Sequence, residues 1–138
     1  MKHWIAVISY EHALLASQMN ILQVCHGKKG PLTATRAGDE VFIYCPRTEI
    51  RSGKELKLIA FRCNFLDDQI YQYEQTPTFK PFRKDVVFDK NFTPIPIQEV
   101  TDLELTQNPH WGMLARRGFF EISPHDANLL KANRRGLL

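Results

Sequence analysis

Short apolar runs, broken by polar, glycine- or proline-bearing stretches, recur along the whole chain. Residues 4–9 (WIAVIS) are nearly all apolar and predict a first strand. Ser9-Tyr10-Glu11-His12 then predicts a helix start, with the serine hydroxyl capping free N–H groups and Glu11 at the positive end of the dipole. Leu14, Leu15 and Met19 are expected to form that helix's buried stripe. Residues 21–25 form a short extended run, 26–31 a flexible basic loop, and 32–37 one helical turn. Gly38-Asp39 predicts a sharp turn, because glycine takes a positive φ at little steric cost. Residues 41–45 (VFIYC) are β-branched, aromatic and small, the composition of a strand buried on both faces.

Residues 47–55 read as a polar loop with Gly53 at its tip. Beyond it the pattern alternates. Ile59, Phe61, Cys63 and Phe65 face one way, Ala60, Arg62 and Asn64 the other, which predicts a half-exposed strand. Asp67-Asp68 predicts a turn, and residues 70–75 (IYQYEQ) a returning partner strand. After a loop with two prolines, Phe82, Lys84, Val86 and Phe88 alternate with Arg83, Asp85 and Val87, so another strand is expected. The prolines of 93–97 (TPIPI) lack ladder donors and confine that run to an edge. Residues 98–105 predict a short helix and 119–122 a last strand. Ser123 as N-cap and Pro124 at the first helical position open a final helix. Leu129 and Leu130 should dock it, with Arg134-Arg135 trailing into solvent. Five or six short strands among small helices predict an α+β fold built on a partly closed β-barrel.

A length of 138 residues suits a single domain over 1–138. No run approaches the roughly 18 apolar residues of a membrane helix, and no small-residue cleavage site follows the first apolar run. Cys25, Cys45 and Cys63 are odd in number and widely spaced, which argues against a disulfide framework or zinc site and for a reducing cytoplasm. Histidines 3, 12, 26, 110 and 125 show no metal spacing, so neither metal nor cofactor is expected. The net charge of +3 permits an anionic partner without demanding one.

Several motifs occur in an order and spacing that resemble the EVE domain family. They are Trp4 in the first strand, Cys25-His26-Gly27-Lys28, and P-L-x(5)-G-D-x(4)-Y-x-P over residues 31–46. Phe79-x-Pro81-Phe82-Arg83-x-Asp85-Val86, Trp111-Gly112-x(3)-Arg116-x-Gly118 and Phe120-Glu121-Ile122-Ser123 complete the set. The resemblance runs from about Lys2 to about Leu130. It implies a PUA-like β-barrel, related to the YTH and ASCH domains, and a pocket beside the barrel for a flipped-out, modified nucleobase of RNA or DNA. Cys45 stands where the family pattern leads one to expect a small hydroxyl residue such as serine; if that hydroxyl bonds the base edge, Cys45 weakens the contact or changes the base preference.

With that expectation, Trp4, Ser9, Cys25, Tyr44, Cys45, Pro46 and Trp111 are the candidate base-pocket residues. Flat rings suit such a pocket because base stacking contributes about 1–3 kcal/mol. The alternative for Trp4, Trp111, Tyr44 and Cys45 is plain core packing, and for Ser9 a plain helix cap. Lys28, Lys29, Arg36, Arg47, Arg83 and Arg116 are the candidate phosphate contacts, the alternative being a scattered solvated surface. An enzyme would need a nucleophile beside a base. Cys25 and His26 are neighbours that would point to opposite faces of a strand. The expected function is a nucleic-acid-binding module, monomeric or weakly dimeric, that reads one base. A nucleotide- or RNA-modifying enzyme and a protein-interaction module using the 94–97 edge are the alternatives.

Overall fold

The computed structural model describes residues 1–49 and 52–132. Its sheet is built outward from β3 (Glu40–Arg47), which lies between β1 (His3–Val7, parallel) and β4 (Glu55–Phe65, antiparallel). The path continues from β4 to β6 (Phe82–Phe88) and β2 (Ile21–Leu22), and from β1 to β8 (Phe119–Ile122). Two more short strands attach to this six-strand path, β5 (Tyr71–Gln72) to β6 and β7 (Ile95–Pro96) to β4. The result is an α+β fold with a partly closed half-barrel sheet and short flanking helices.

β3 is buried on both faces, as its composition predicts, because each face has its own core. Val41, Ile43 and Cys45 belong to an inner core with Trp4, Leu22 and Phe65. Phe42 and Tyr44 belong to an outer core with Ile5, Ile59, Phe120 and Leu130. Each large apolar side chain so buried contributes about 1.5–3 kcal/mol relative to exposure. α1 (Tyr10–Met19) packs on the inner core through Ala13 and Ala16. α2 (Glu104–Gln107), α3 (Trp111–Arg117) and α4 (Pro124–Ala132) cover the outer one. Ser123 Oγ accepts from the Asp126 N–H at 3.1 Å, the N-cap read from Ser-Pro, and Leu130 is buried with Leu129 packed beside it.

Gly38, at φ 87°, makes the turn into β3 and delivers Asp39 to a junction. The Asp39 carboxylate accepts from the Lys2 N–H at 2.9 Å, the Arg36 N–H at 3.0 Å and the Trp4 indole at 3.2 Å. Burial alone would raise its pKa, but these donors outweigh it and hold the carboxyl below its ordinary value.

Several expectations are corrected. Leu14, Leu15 and Met19 do not form a buried stripe; they are 39%, 53% and 52% exposed, because the small Ala13 and Ala16 let α1 lie close to the sheet instead. Ser9 has N-cap backbone angles, yet its hydroxyl makes no capping hydrogen bond. The β4 alternation breaks at a register shift between Ile43 and Tyr44, where Ala60 is the extra residue. Ile59 therefore joins the outer core while Ala60, Cys63 and Phe65 join the inner one. Residues 70–75 keep only β5, which pairs with β6 rather than β4, since the chain turns back over Thr76–Phe79. Instead of one helix at 98–105 there is a 3₁₀ turn, a left-handed residue at Asp102 (φ 66°), and then α2. Trp111 opens α3 and packs against the outer core. Arg134-Arg135 lie outside the described residues.

Candidate nucleic-acid interface

A cavity of about 730 Å³ opens beside the inner core, where α1, β2, the β5–β6 hairpin and the end of α3 meet. Its size falls within the usual range for small-ligand sites, about 300–1,000 Å³. One wall is the face of α1 carrying His12, Leu15, Ala16 and Met19, positions at helical spacing. This explains why an apolar stripe remains uncovered: it lines a hollow instead of a core.

The opposite wall depends on an unusual piece of backbone. Cys25 (φ 50°), His26 (φ 60°) and Gly27 (φ 83°) are consecutive left-handed residues. For the two non-glycine residues this conformation costs about 1–2 kcal/mol each. Gly27 is required there, because a Cβ would stand 2.3 Å from Pro81 Cβ, so the turn and the β5–β6 hairpin are in direct contact. The Cys25 thiol donates to the Arg117 carbonyl at 3.1 Å and ties the turn to the end of α3. Strain of this kind persists only where surrounding contacts hold it, and it clusters at functional sites.

Three buried side-chain atoms have no hydrogen-bond partner among the described residues: Ser9 Oγ, Gln23 Oε1 and Arg83 Nε. All three residues line this one cavity. An orphaned buried polar group costs about 1–3 kcal/mol, so three around one cavity call for an explanation. Arg83 is only 3% exposed, with its guanidinium 4.2 Å over the Tyr73 ring. Its Nη2 reaches Gln75 Oε1 at 3.5 Å, and Gln23 Nε2 donates to that same oxygen at 3.4 Å, two loose contacts on a single acceptor. Lys28, Arg47, Arg83, Arg116 and Arg117 set five cations against one carboxylate, Glu49, so the lining is more positive than a chain of net charge +3 requires.

Of the candidate base-pocket residues, Ser9, Cys25 and Pro46 line the cavity. Trp4 does not: it is 6% exposed, stacked on Phe119 at 4.9 Å and bonded to Asp39. Tyr44 and Trp111 meet each other at 5.5 Å in the outer core, on the other side of the sheet from Trp4. The two indoles therefore form no common cage. Cys45 is fully buried, its thiol pKa pushed up to about 12 by burial. Of the candidate phosphate contacts, Lys28, Arg47, Arg83 and Arg116 line the cavity. Lys29 lies over Phe82 at 5.7 Å, and Arg36 donates to the Thr35 carbonyl at 3.0 Å.

Tyr73, Phe79, Gln23 and Arg117 also belong to the wall and were not among the candidates. Gln23 had a readable signal, an amide inside the apolar run ILQVC; the others become neighbours only through long-range pairing. Cys25 and His26 lie in a turn rather than a strand, and both line the cavity, so the opposite-faces argument does not apply to them. Burial raises the Cys25 pKa, partly offset by Lys28, so the group is held as a thiol rather than the nucleophilic thiolate. Among the described residues no group of three or more His, Cys, Asp and Glu is placed to hold a metal ion, and no helix is long and apolar enough to cross a membrane.

A half-barrel sheet with short flanking helices is a fold of the PUA-like type. The family profile of the EVE domain matches residues 2–133, and the chain belongs to that family. It is 35% identical over 126 residues to a UPF0310 protein of Streptococcus mutans, covering 89% of each chain. It is 34% identical over 131 residues to the UPF0310 protein YdcG of Bacillus subtilis, covering 90% of this chain and 86% of that one. Among solved structures it is similar to Rpa0253 from Rhodopseudomonas palustris, with TM-score 0.63, 18% identity, and 100% and 95% of the two chains covered. It also resembles human THYN1, solved in complex with 5-methylcytosine-containing DNA, with TM-score 0.51, 14% identity and 96% of each chain covered.

Proposed function

We propose that this protein is a nucleic-acid-binding module that takes a single, modified base out of a strand and holds it in the cavity beside α1. The observation that carries this reading is that three orphaned polar atoms, on Ser9, Gln23 and Arg83, belong to residues lining one cation-rich cavity. A base supplies the missing partners from its edge, while its flat faces lie against Tyr73, Phe79 and the apolar stripe of α1. Lys28, Arg47 and Arg116 hold the phosphates on either side. The DNA complex of the human relative supports the same use of the fold. Trp4, Tyr44, Cys45 and Trp111 take no part as contacts; they hold the sheet that carries the walls. The protein works as one domain, in the cytoplasm, as a monomer or weak dimer.

Flipping a base costs a few kcal/mol, so single-stranded or mispaired sites bind better than intact duplex. The test is a titration against short oligonucleotides with modified and unmodified bases at several salt concentrations. Affinity should fall as salt rises and should differ between base forms. Salt-independent binding of equal strength to every base would sink the reading.

A further inference from the structure

From the surroundings of Arg83 we infer that the cavity contains an inner oxyanion subsite: the ligand carries a carboxylate or phosphate group that pairs with the Arg83 guanidinium. This rests on the reading that the cavity is a binding site, and it goes further by fixing the charge of what enters. A buried ion is held at a cost of several kcal/mol unless a counter-charge or a full set of hydrogen bonds offsets it. Arg83 is 3% exposed, and no carboxylate of the described residues lies within 4.0 Å of it. Asp85, on its own strand, accepts instead from the Tyr71 hydroxyl at 2.6 Å.

The Tyr71 hydroxyl lies beside the Arg83 guanidinium but is a neutral partner already donating to Asp85, and the rest of what Arg83 has is weak and movable. The Tyr73 ring that covers it is 47% exposed, the Gln75 contact is 3.5 Å long, and Nε has no partner. An arginine fork presents parallel N–H groups that match the two oxygens of a carboxylate or phosphate. An entering oxyanion would displace the loose Gln75 contact, accept from Nε and Nη2, and slide under or beside Tyr73. Gln23 Oε1 and Ser9 Oγ then remain for the polar edge of the group that carries the oxyanion. Lys28, Arg47 and Arg116 stay available for backbone phosphates, so two kinds of anion contact occur in one site.

The oxyanion has two possible sources, an acidic substituent on a base within a strand or the phosphate of a free nucleotide, and the experiment separates them. Fluorescence anisotropy would compare otherwise identical single-stranded oligonucleotides carrying cytosine, 5-methylcytosine or 5-carboxylcytosine at one central position. Calorimetry would compare cytidine with cytidine 5′-monophosphate, and inorganic phosphate alone. If the source is a base substituent, the carboxyl-bearing oligonucleotide binds about tenfold or more tighter than the methyl-bearing one. If it is a free nucleotide, the monophosphate binds at least about tenfold tighter than the nucleoside. Arg83→Gln should abolish whichever preference appears, while Arg83→Lys, which keeps the charge but loses the fork, should retain part of it.

Oligonucleotide binding that is salt-dependent and blind to the carboxyl group, together with equal weak binding of nucleoside and monophosphate, overturns the subsite and leaves the base reading intact. Monophosphate binding lost on Arg83→Gln, without oligonucleotide binding, upholds the subsite and overturns the base reading. The ligand comparisons use the unaltered protein, so they decide the matter even where Arg83→Gln fails to fold.

Discussion

Glu40 and Arg83 are both charged and both buried, and their surroundings could hardly differ more. Glu40, fully buried on the outer face of β3, is met by His3 Nδ1 at 2.7 Å, Arg62 at 2.5 Å and Lys131 Nζ at 3.3 Å. Arg62 is itself shared with Asp89 at 3.2 Å. Arg83, against the cavity, has an aromatic ring, the neighbouring Tyr71 hydroxyl, one long contact to an amide and an unpartnered Nε, but no counter-charge. The first is a charge the fold completes by itself; the second is one it leaves without a counter-charge among the described residues. The same contrast separates the two faces of the sheet. The outer face is closed by α2, α3 and α4, while the inner face is closed by Trp4, Leu22 and Phe65 and then stops short at an exposed helix stripe.

The contrast can be broken most directly by removing each charge in turn. Glu40→Gln should lower the unfolding free energy by about 3 kcal/mol, the low end for a broken buried pair because Arg62 and Lys131 keep some solvent. Arg83→Gln should change it by no more than about 1 kcal/mol, since the charge it removes has no counter-ion to lose. Urea unfolding at neutral pH measures both. Equal destabilisation by the two would mean that Arg83 is as structural as Glu40.

A smaller effect sharpens the position of the indoles. Trp4→Phe strips a donor from the buried Asp39 carboxylate and should cost about 2 kcal/mol while leaving oligonucleotide affinity unchanged. A loss of affinity with stability preserved would return Trp4 to the site. Smaller again, Lys28→Gln and Arg116→Gln should each reduce the slope of log affinity against log salt by about one, with little change in melting temperature. Lys29→Gln should leave the slope as it is.

The smallest effect concerns Lys84, 1% exposed in the inner core, where it donates to Thr35 Oγ1 at 2.8 Å and lies 4.8 Å over Phe65. Burial lowers its pKa below the ordinary 10.5, although Asp68, Asp67 and Asp39 pull the other way. Between the lowered folded value and the unfolded one, the unfolded chain binds more protons, so this group makes the fold more stable as pH rises through that window. Below the window its contribution is flat. Relative to Lys84→Met, the wild type should therefore gain in alkaline buffer, read from paired unfolding curves. A constant difference across the window would contradict the burial effect.

Much of the fold is legible from local pattern. β1, β3, β6 and β8 follow their apolar runs, the Ser123-Pro124 cap starts α4, and the prolines confine β7 to an edge, because strand composition and capping chemistry act over a few residues. The misreadings at α1 and β4 share one cause. A side chain's burial depends on what arrives opposite it, and neither the register shift beside Ala60 nor the cavity beside Leu15 and Met19 exists until distant segments meet. The site was half visible for the same reason. Ser9, Cys25, Lys28 and Arg83 stood in recognisable motifs, but Tyr73 and Gln75 join the cavity only because β5 folds back on β6.

By itself the amino-acid order determined an EVE-type α+β chain, its central two-faced strand and the residue types able to hold an anionic partner. Which of those residues share a wall was decided only by tertiary structure, in the contact of Gly27 with Pro81 and the closing of α1 over the inner core. The physical reason is range: periodicity and capping are settled between near neighbours, whereas a cavity, and a charge left unpaired within it, belong to surfaces brought together from across the chain.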